Sequence, residues 1–334
     1  MAEGPIFIGG PDRCGKTMLA AILGSHSRIA IPIVGSNLWT FFYGQYGDLN
    51  DDANFDRCLA ALMRYKHALF LKPEVPRLRA ELPRDGRSYA GLFERIHAHF
   101  AERAGKPRWG DQTGLIERYA DQVLGSYPGA VMLHMVRDPR DRYEASLKLW
   151  PDGRARAGGA AARWAYSVRL GERNLRRHPD RYRMVRYEDL VSDPERTVRG
   201  LLELLGEAYE PPMLLMGDAP TYRRRLAGGE EPAPDRTLIS DEHIGDYENG
   251  RVPQLELAFL ERALAGPMGR LGYGGRTPTT GLRARAIYLF GTRPLNSARM
   301  AAWMSLEALQ HRFPRLMGRN PVRAKVVDTS ASGS

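Results

Sequence analysis

The chain is 334 residues long, with 43% hydrophobic and 26% charged residues, a balance that excludes disordered and fibrous chains and fits one large α/β domain with an appendage. Its formal charge is +10, but ten basic residues and one acid, Glu307, lie in the 276–325 window, so the rest is nearly neutral and a nucleic-acid surface spread over the whole body is excluded. No run of eighteen uncharged apolar residues, no secretory leader and only two cysteines, Cys14 and Cys58, make a cytoplasmic protein without spanning helix, disulfide framework or zinc site the expectation.

Pro5-Ile6-Phe7-Ile8-Gly9-Gly10 reads as a short buried strand ending in two glycines, and residues 16–23 as a helix after a loop. Residues 29–34 form a second predicted strand. Helical spacing follows over 55–71 and 89–103, with a turn at Pro83-Arg84-Asp85-Gly86, and again over 114–126. Residues 130–136 are a strongly apolar strand interrupted by His134, a core histidine on this reading; Arg137-Asp138-Pro139-Arg140 then leads into a helix to about Trp150. A loop rich in glycine and arginine spans 153–159, a long helix 160–177 and a strand 182–187. Asp193 and Pro194 cap and open a helix that Gly206 stops. The stretch 207–246 is proline-rich and irregular; 251–264 is helical, and the basic tail has helical spacing over 297–312 and a small, polar end at 328–334. This alternation predicts a P-loop-containing three-layer α/β fold with a mainly parallel central sheet over residues 1–275, and a basic helical extension over 276–334.

Gly10-Pro11-Asp12-Arg13-Cys14-Gly15-Lys16-Thr17 matches G-x-x-x-x-G-K-T between a strand and a helix. Glycines let successive N–H groups point inward, the helix N-terminus adds partial positive charge, Lys16 supplies a cation and Thr17 a hydroxyl, so residues 11–17 are predicted to cradle a phosphate or similar oxyanion. A nucleoside triphosphatase also needs a carboxylate for Mg²⁺ at another strand end, and Asp138 there sits among arginines. Arg137, Arg140 and Arg142 at the end of a buried strand form a second anion site, with some of their charge predicted to pair with Asp138, Asp141 and Glu144.

These motifs resemble those of sulfotransferases that use 3′-phosphoadenosine 5′-phosphosulfate (PAPS), in particular the bacterial and tyrosylprotein-type branch. That family's first loop, G-x-x-R-S-G-T-T, corresponds to residues 10–17; its second, V-R-D-P-R-D followed by a helical serine, to Val136-Arg137-Asp138-Pro139-Arg140-Asp141 and Ser146. Trp109-Gly110-Asp111-Gln112-Thr113 resembles W-G-x-K-T, Arg186-Tyr187-Glu188-Asp189-Leu190 resembles R-Y-E-D-L, and Ile244-Gly245-Asp246-Tyr247 and Leu271-Gly272-Tyr273 resemble its late landmarks. Lys16 stands where the family has a threonine, Gln112 where it has lysine, and Ser146 follows Arg137 by nine residues rather than eight. Many relatives carry a glutamate shortly after the second strand; residues 31–42 hold neither carboxylate nor histidine.

The resemblance implies metal-independent sulfuryl transfer from PAPS to a hydroxyl of a small-molecule, glycan or lipid-like acceptor. Pro11, Asp12, Arg13, Cys14, Gly15, Lys16 and Thr17 would hold the 5′-phosphosulfate, Arg137 and Ser146 the 3′-phosphate, and Arg13 and Lys16 would neutralise the leaving oxygen. Asp111 and then Glu74 are the candidate general bases. The rival readings are a P-loop kinase or nucleoside triphosphatase using Mg-ATP and a non-catalytic nucleotide- or lipid-binding protein of the same fold. Trp39, Phe41, Phe42 and Tyr43 either line an acceptor pocket or pack the core. For the tail, with Met300, Trp303, Met304, Leu306, Leu309 and Phe313 at helical spacing, the readings are a docked helix, a homodimer contact or acceptor lid, and peripheral contact with anionic lipid. Nucleic acid is not an expected partner.

Overall fold

The computed structural model describes residues 4–149, 156–275 and 281–312. Residues 153–155 of the loop expected over 153–159, the basic residues Arg276, Arg315, Arg319, Arg323 and Lys325, Phe313 and the small polar end lie outside the described residues, while 157–159 open the helix Ala157–Arg177 instead of continuing the loop. Five parallel strands form the central sheet: β1 (Ile6–Gly9), β2 (Ile29–Ala30), β3 (Arg108–Gln112), β4 (Val131–Val136) and β5 (Tyr182–Arg186), in the order β2-β3-β1-β4-β5. The chain fills one side of β1 before crossing to the other, so the β1–β4 crevice is the topological switch point of the sheet.

Alternation along β1 divides the core. Ile6 and Ile8 pack with Leu133 of β4 and with Leu19, Leu23 and Leu202 from the helices Lys16–Gly24 and Pro194–Leu205. Phe7 faces the other layer, with Trp109, Tyr127 and the helix Tyr89–Arg103. A third cluster joins the helices Ala157–Arg177 and Gln254–Ala263 through Trp164, Val168, Phe259 and Leu260.

Two strands differ from expectation. β3 was not anticipated as a strand, because Arg108-Trp109-Gly110-Asp111-Gln112 carries a cation, an anion and an amide. All five residues are buried, and tertiary partners satisfy them: Arg108 donates to the carbonyls of Gly4 and Leu205 at 2.7 Å each and pairs with Glu207. A Cβ at Gly110 would meet the Ile6 carbonyl oxygen at 2.7 Å, so the close approach of β1 and β3 there requires glycine. β2 ends at Ala30 instead of Val34; beyond it the Ile33 carbonyl accepts from the Gln112 side chain.

The tail is docked. Its helix Arg293–Arg312 runs along Ala157–Arg177, with the Gly158 N–H donating to Asn296 Oδ1 at 3.0 Å and Trp303 edge-on to Tyr166 at 5.6 Å. Glu307 is buried against Arg118. No described helix is long and apolar enough to cross a membrane.

Candidate active site

The loop after β1 is shaped by positions where side chains are excluded. Gly10 has φ +112°, and a Cβ there would sit 2.1 Å from the Met135 carbonyl oxygen; Gly15 has φ +86°, and its Cβ would meet Tyr187 at 2.7 Å. Arg13 also adopts a left-handed φ of 64°, so the loop turns in the strained manner of an anion nest. The helix Lys16–Gly24 starts immediately afterwards, leaving its first N–H groups without intrahelical partners. Lys16 Nζ donates to the carbonyls of Gly10, at 2.8 Å, and Pro11. Burial lowers the Lys16 pKa, against the pull of Cys14, Asp12 and Glu117. Thr17 Oγ1 donates to Gln112 Oε1 at 3.4 Å. Cys14 is fully buried, and that burial pushes its thiol up to about 11, so it is neutral near pH 7.

From below, the Gly10 N–H donates to Glu117 Oε2 at 3.0 Å. Glu117 Oε1 accepts from Ser167, which meets His134 Nε2 at 3.0 Å, and His134 Nδ1 meets the Tyr182 hydroxyl at 2.7 Å. Burial lowers the pKa of His134, which is the core histidine expected, held neutral inside a polar network that braces the loop.

The three arginines beyond β4 have separate fates. Arg140 grips Asp138 and Glu261 at 2.7 and 2.9 Å and stacks on Tyr247. Arg142 is buried and donates to the Asp12 carbonyl at 2.9 Å and to the Asp12 carboxylate, tying its helix, Pro139–Leu149, to the first loop. Asp12 is consequently held at about 2: burial raises it, but Arg142 and Lys16 more than offset this. Arg137 is buried over the Tyr187 ring at 4.3 Å, donates from Nη2 to the His243 carbonyl at 2.6 Å, and has a buried Nε with no hydrogen-bond partner. Among the described residues neither Arg137 nor the exposed Arg13 forms an ion pair with a carboxylate. Ser146 is buried on the same helix as Arg142 and donates its hydroxyl proton to the Arg142 carbonyl at 2.9 Å.

A cavity of about 360 Å³ opens beside the first loop, walled by Asp12, Lys16, Asn37, Phe41, Arg118, Tyr119, Arg163 and, from the tail, Trp303 and Gln310. Neither candidate base lies on this wall. Asp111 is fully buried, its oxygens accepting from the Ser36 N–H at 3.0 Å, the Ser36 hydroxyl at 2.5 Å and the Thr113 hydroxyl at 2.9 Å. Burial raises its pKa, but His97 and the Ser36 hydrogen bonds bring it below the usual value. Glu74 is exposed and accepts from Arg103 at 3.2 Å. The aromatic run divides: Phe41 reaches the cavity, while Trp39 and Phe42 are core. Arg118, Arg163 and Gln310 had no local signal, because the wall is assembled from distant parts of the chain; Trp303 stood out only through the helical spacing of the tail.

A family model described as "Sulfotransferase family" matches residues 5–211, which contain both anion loops and all five strands. The chain belongs to the sulfotransferase family. Among solved structures, this sulfotransferase is similar to the sulfotransferase domain of an olefin synthase from Synechococcus, at 20% identity and a TM-score of 0.52, covering 78% of this chain and 94% of that one. It is also similar to the sulfotransferase domain from the curacin biosynthetic pathway, at 17% identity and a TM-score of 0.50, covering 82% and 99%. Both carry the α/β fold described above. No curated protein sequence matches this sulfotransferase.

Proposed function

We propose that this sulfotransferase moves the sulfuryl group of PAPS to the hydroxyl of a small aromatic acceptor. The observation that carries the reading is the pair of arginines without a carboxylate partner among the described residues, Arg13 after β1 and Arg137 after β4, one in each anion loop of a single crevice. The side-chain-free cradle at Gly10 and Gly15 and the orphaned Nε of Arg137 fit a ligand with an anion at each end. PAPS would supply the activated sulfuryl group. Arg13 and Lys16, beside the helix N-terminus, would stabilise charge on the departing phosphate, and Arg137 would hold the 3′-phosphate. Lys16 restores a cation that Gln112 lacks, and the neighbouring Thr17 contacts that same Gln112. The Asp138 carboxylate is occupied by Arg140, which weighs against the Mg-ATP alternative.

The cavity supports an aryl hydroxyl over an aliphatic alcohol, a glycan or an alkyl lipid. Among the described wall residues the carboxylate is Asp12, an ion-paired group with a pKa near 2 and so a poor proton acceptor, and there is no histidine. A phenol ionises at about 10 and needs less help. Lys16, Arg118 and Arg163 favour its anion, and Phe41, Tyr119 and Trp303 offer ring faces. Asp111 acts here as a positioning residue: it fixes Ser36 and Thr113, and Thr113 in turn accepts from the N–H of Asn37 on the cavity wall. The test is transfer of labelled sulfate from PAPS to matched phenols and aliphatic alcohols without added metal. Phenols are expected to be the better acceptors; turnover confined to aliphatic alcohols would overturn the acceptor assignment, and no turnover with either would overturn the activity.

A further inference from the structure

Away from the anion loops, a second cavity of about 510 Å³ lies between the helix Gln254–Ala263 and the start of the tail, lined by Arg262, Arg285 and Arg293 with Phe259, Tyr288 and Leu289. Among the described residues no carboxylate lines it, and none of the three arginines has a carboxylate partner. Arg262 is held over the Tyr288 ring at 4.5 Å. Arg285 and Arg293 are eight residues apart, a spacing that leaves side chains roughly 80° out of line on an ideal α-helix. The wide π-helical turn Tyr288–Thr292 lies between them, and both reach the same cavity.

The outer face of this segment is apolar and uncovered. Leu282 is 87% exposed and Phe290 84%, and Ile287, Leu289 and Leu295 are exposed beside them. Tyr288 and Asn296 are buried on the opposite side, so among the described residues it is that side which faces the core. Arg283 adds a further cation, and the acid among the described tail residues, Glu307, is buried against Arg118. An arginine-lined groove flanked by protruding Leu, Ile and Phe is complementary to one kind of surface, anionic headgroups above an acyl layer.

We propose that residues 282–295, with Arg262, dock this protein on anionic phospholipid membrane, the arginine groove taking the lipid phosphate and Phe290, Leu282 and Ile287 entering the interface. The proposal does not depend on the sulfotransfer reading. Its test is sedimentation of the full chain with vesicles of phosphatidylcholine alone or with about a third phosphatidylglycerol. Binding is expected only to the anionic vesicles, weakened roughly thirty-fold in the double variant Arg285→Gln/Arg293→Gln. Phe290→Ser should also weaken it while keeping the charge. All variants should retain the parent's melting temperature and affinity for adenosine 3′,5′-bisphosphate, which separates lost docking from lost folding. The proposal is overturned by absent vesicle binding, or by variants that bind like the parent. It is equally overturned if inorganic phosphate binds the groove while vesicles do not, or if Phe290→Ser merely splits a dimer of this chain.

Discussion

Position 10 admits only glycine. With φ +112° and the Met135 carbonyl 2.1 Å from any Cβ, Gly10→Ala must displace either the loop or β4, and we expect loss of anion binding by calorimetry even where a folded protein is recovered. Lys16 gives a pH signature. Burial lowers its pKa, and an anion beside it favours the charged form and raises the value again. Binding of the bisphosphate should therefore take up protons, and weaken, as pH rises through the lowered value; Lys16→Met should abolish the uptake, read from calorimetry in buffers of different ionisation enthalpy. Asp12 behaves oppositely. Its pKa falls from 3.8 to about 2 on folding, so its stabilising pairing with Arg142 is complete above about pH 4 and is lost as pH falls through about 2. Asp12→Asn should flatten that part of the acid-unfolding curve, and an unchanged curve would remove the ion pair from the account.

At the scale of elements, the loop is held by what lies beneath it. Glu117→Ala leaves the Gly10 N–H, the Ser167 hydroxyl and the cavity of the lost side chain uncompensated, and we expect a cost of about 3 kcal/mol in denaturant unfolding. β4 and the helices Tyr89–Arg103 and Pro194–Leu205 were legible in the sequence because a strand of six buried residues, a helical apolar face and an Asp-Pro cap are local signals. β3 was not: its charged side chains are satisfied by Gly4, Leu205, Glu207 and Ser36, all remote in sequence. The same remoteness hid the role of Asp111. A polar segment at a strand end reads as a place for chemistry, yet here it anchors the loop that carries Asn37.

Over the whole molecule, the two loops proposed to hold phosphates were readable because each is a contiguous run of residues. The proposed acceptor cavity was readable only in fragments, such as Phe41 and the tail, since its wall joins Lys16, Phe41, Arg118 and Trp303 only after the tail helix has docked. That docking predicts a division of effects. Glu307→Gln removes the charge opposite Arg118 and loosens the Trp303 wall, so kcat/KM for the acceptor should drop about tenfold while affinity for the bisphosphate stays unchanged. Equal losses in both would mean that the tail supports the whole fold and not the cavity. The central claim, that the paired loops are built for a nucleotide with anions at both ends and need no metal, is tested most directly by calorimetric titration of adenosine 3′,5′-bisphosphate against ATP, each with and without Mg²⁺. The account predicts metal-independent binding of the bisphosphate, weakened about thirty-fold or more by Arg137→Ala. Tight binding of Mg-ATP with none of the bisphosphate would contradict it and make the Gly10–Thr17 loop a triphosphate site.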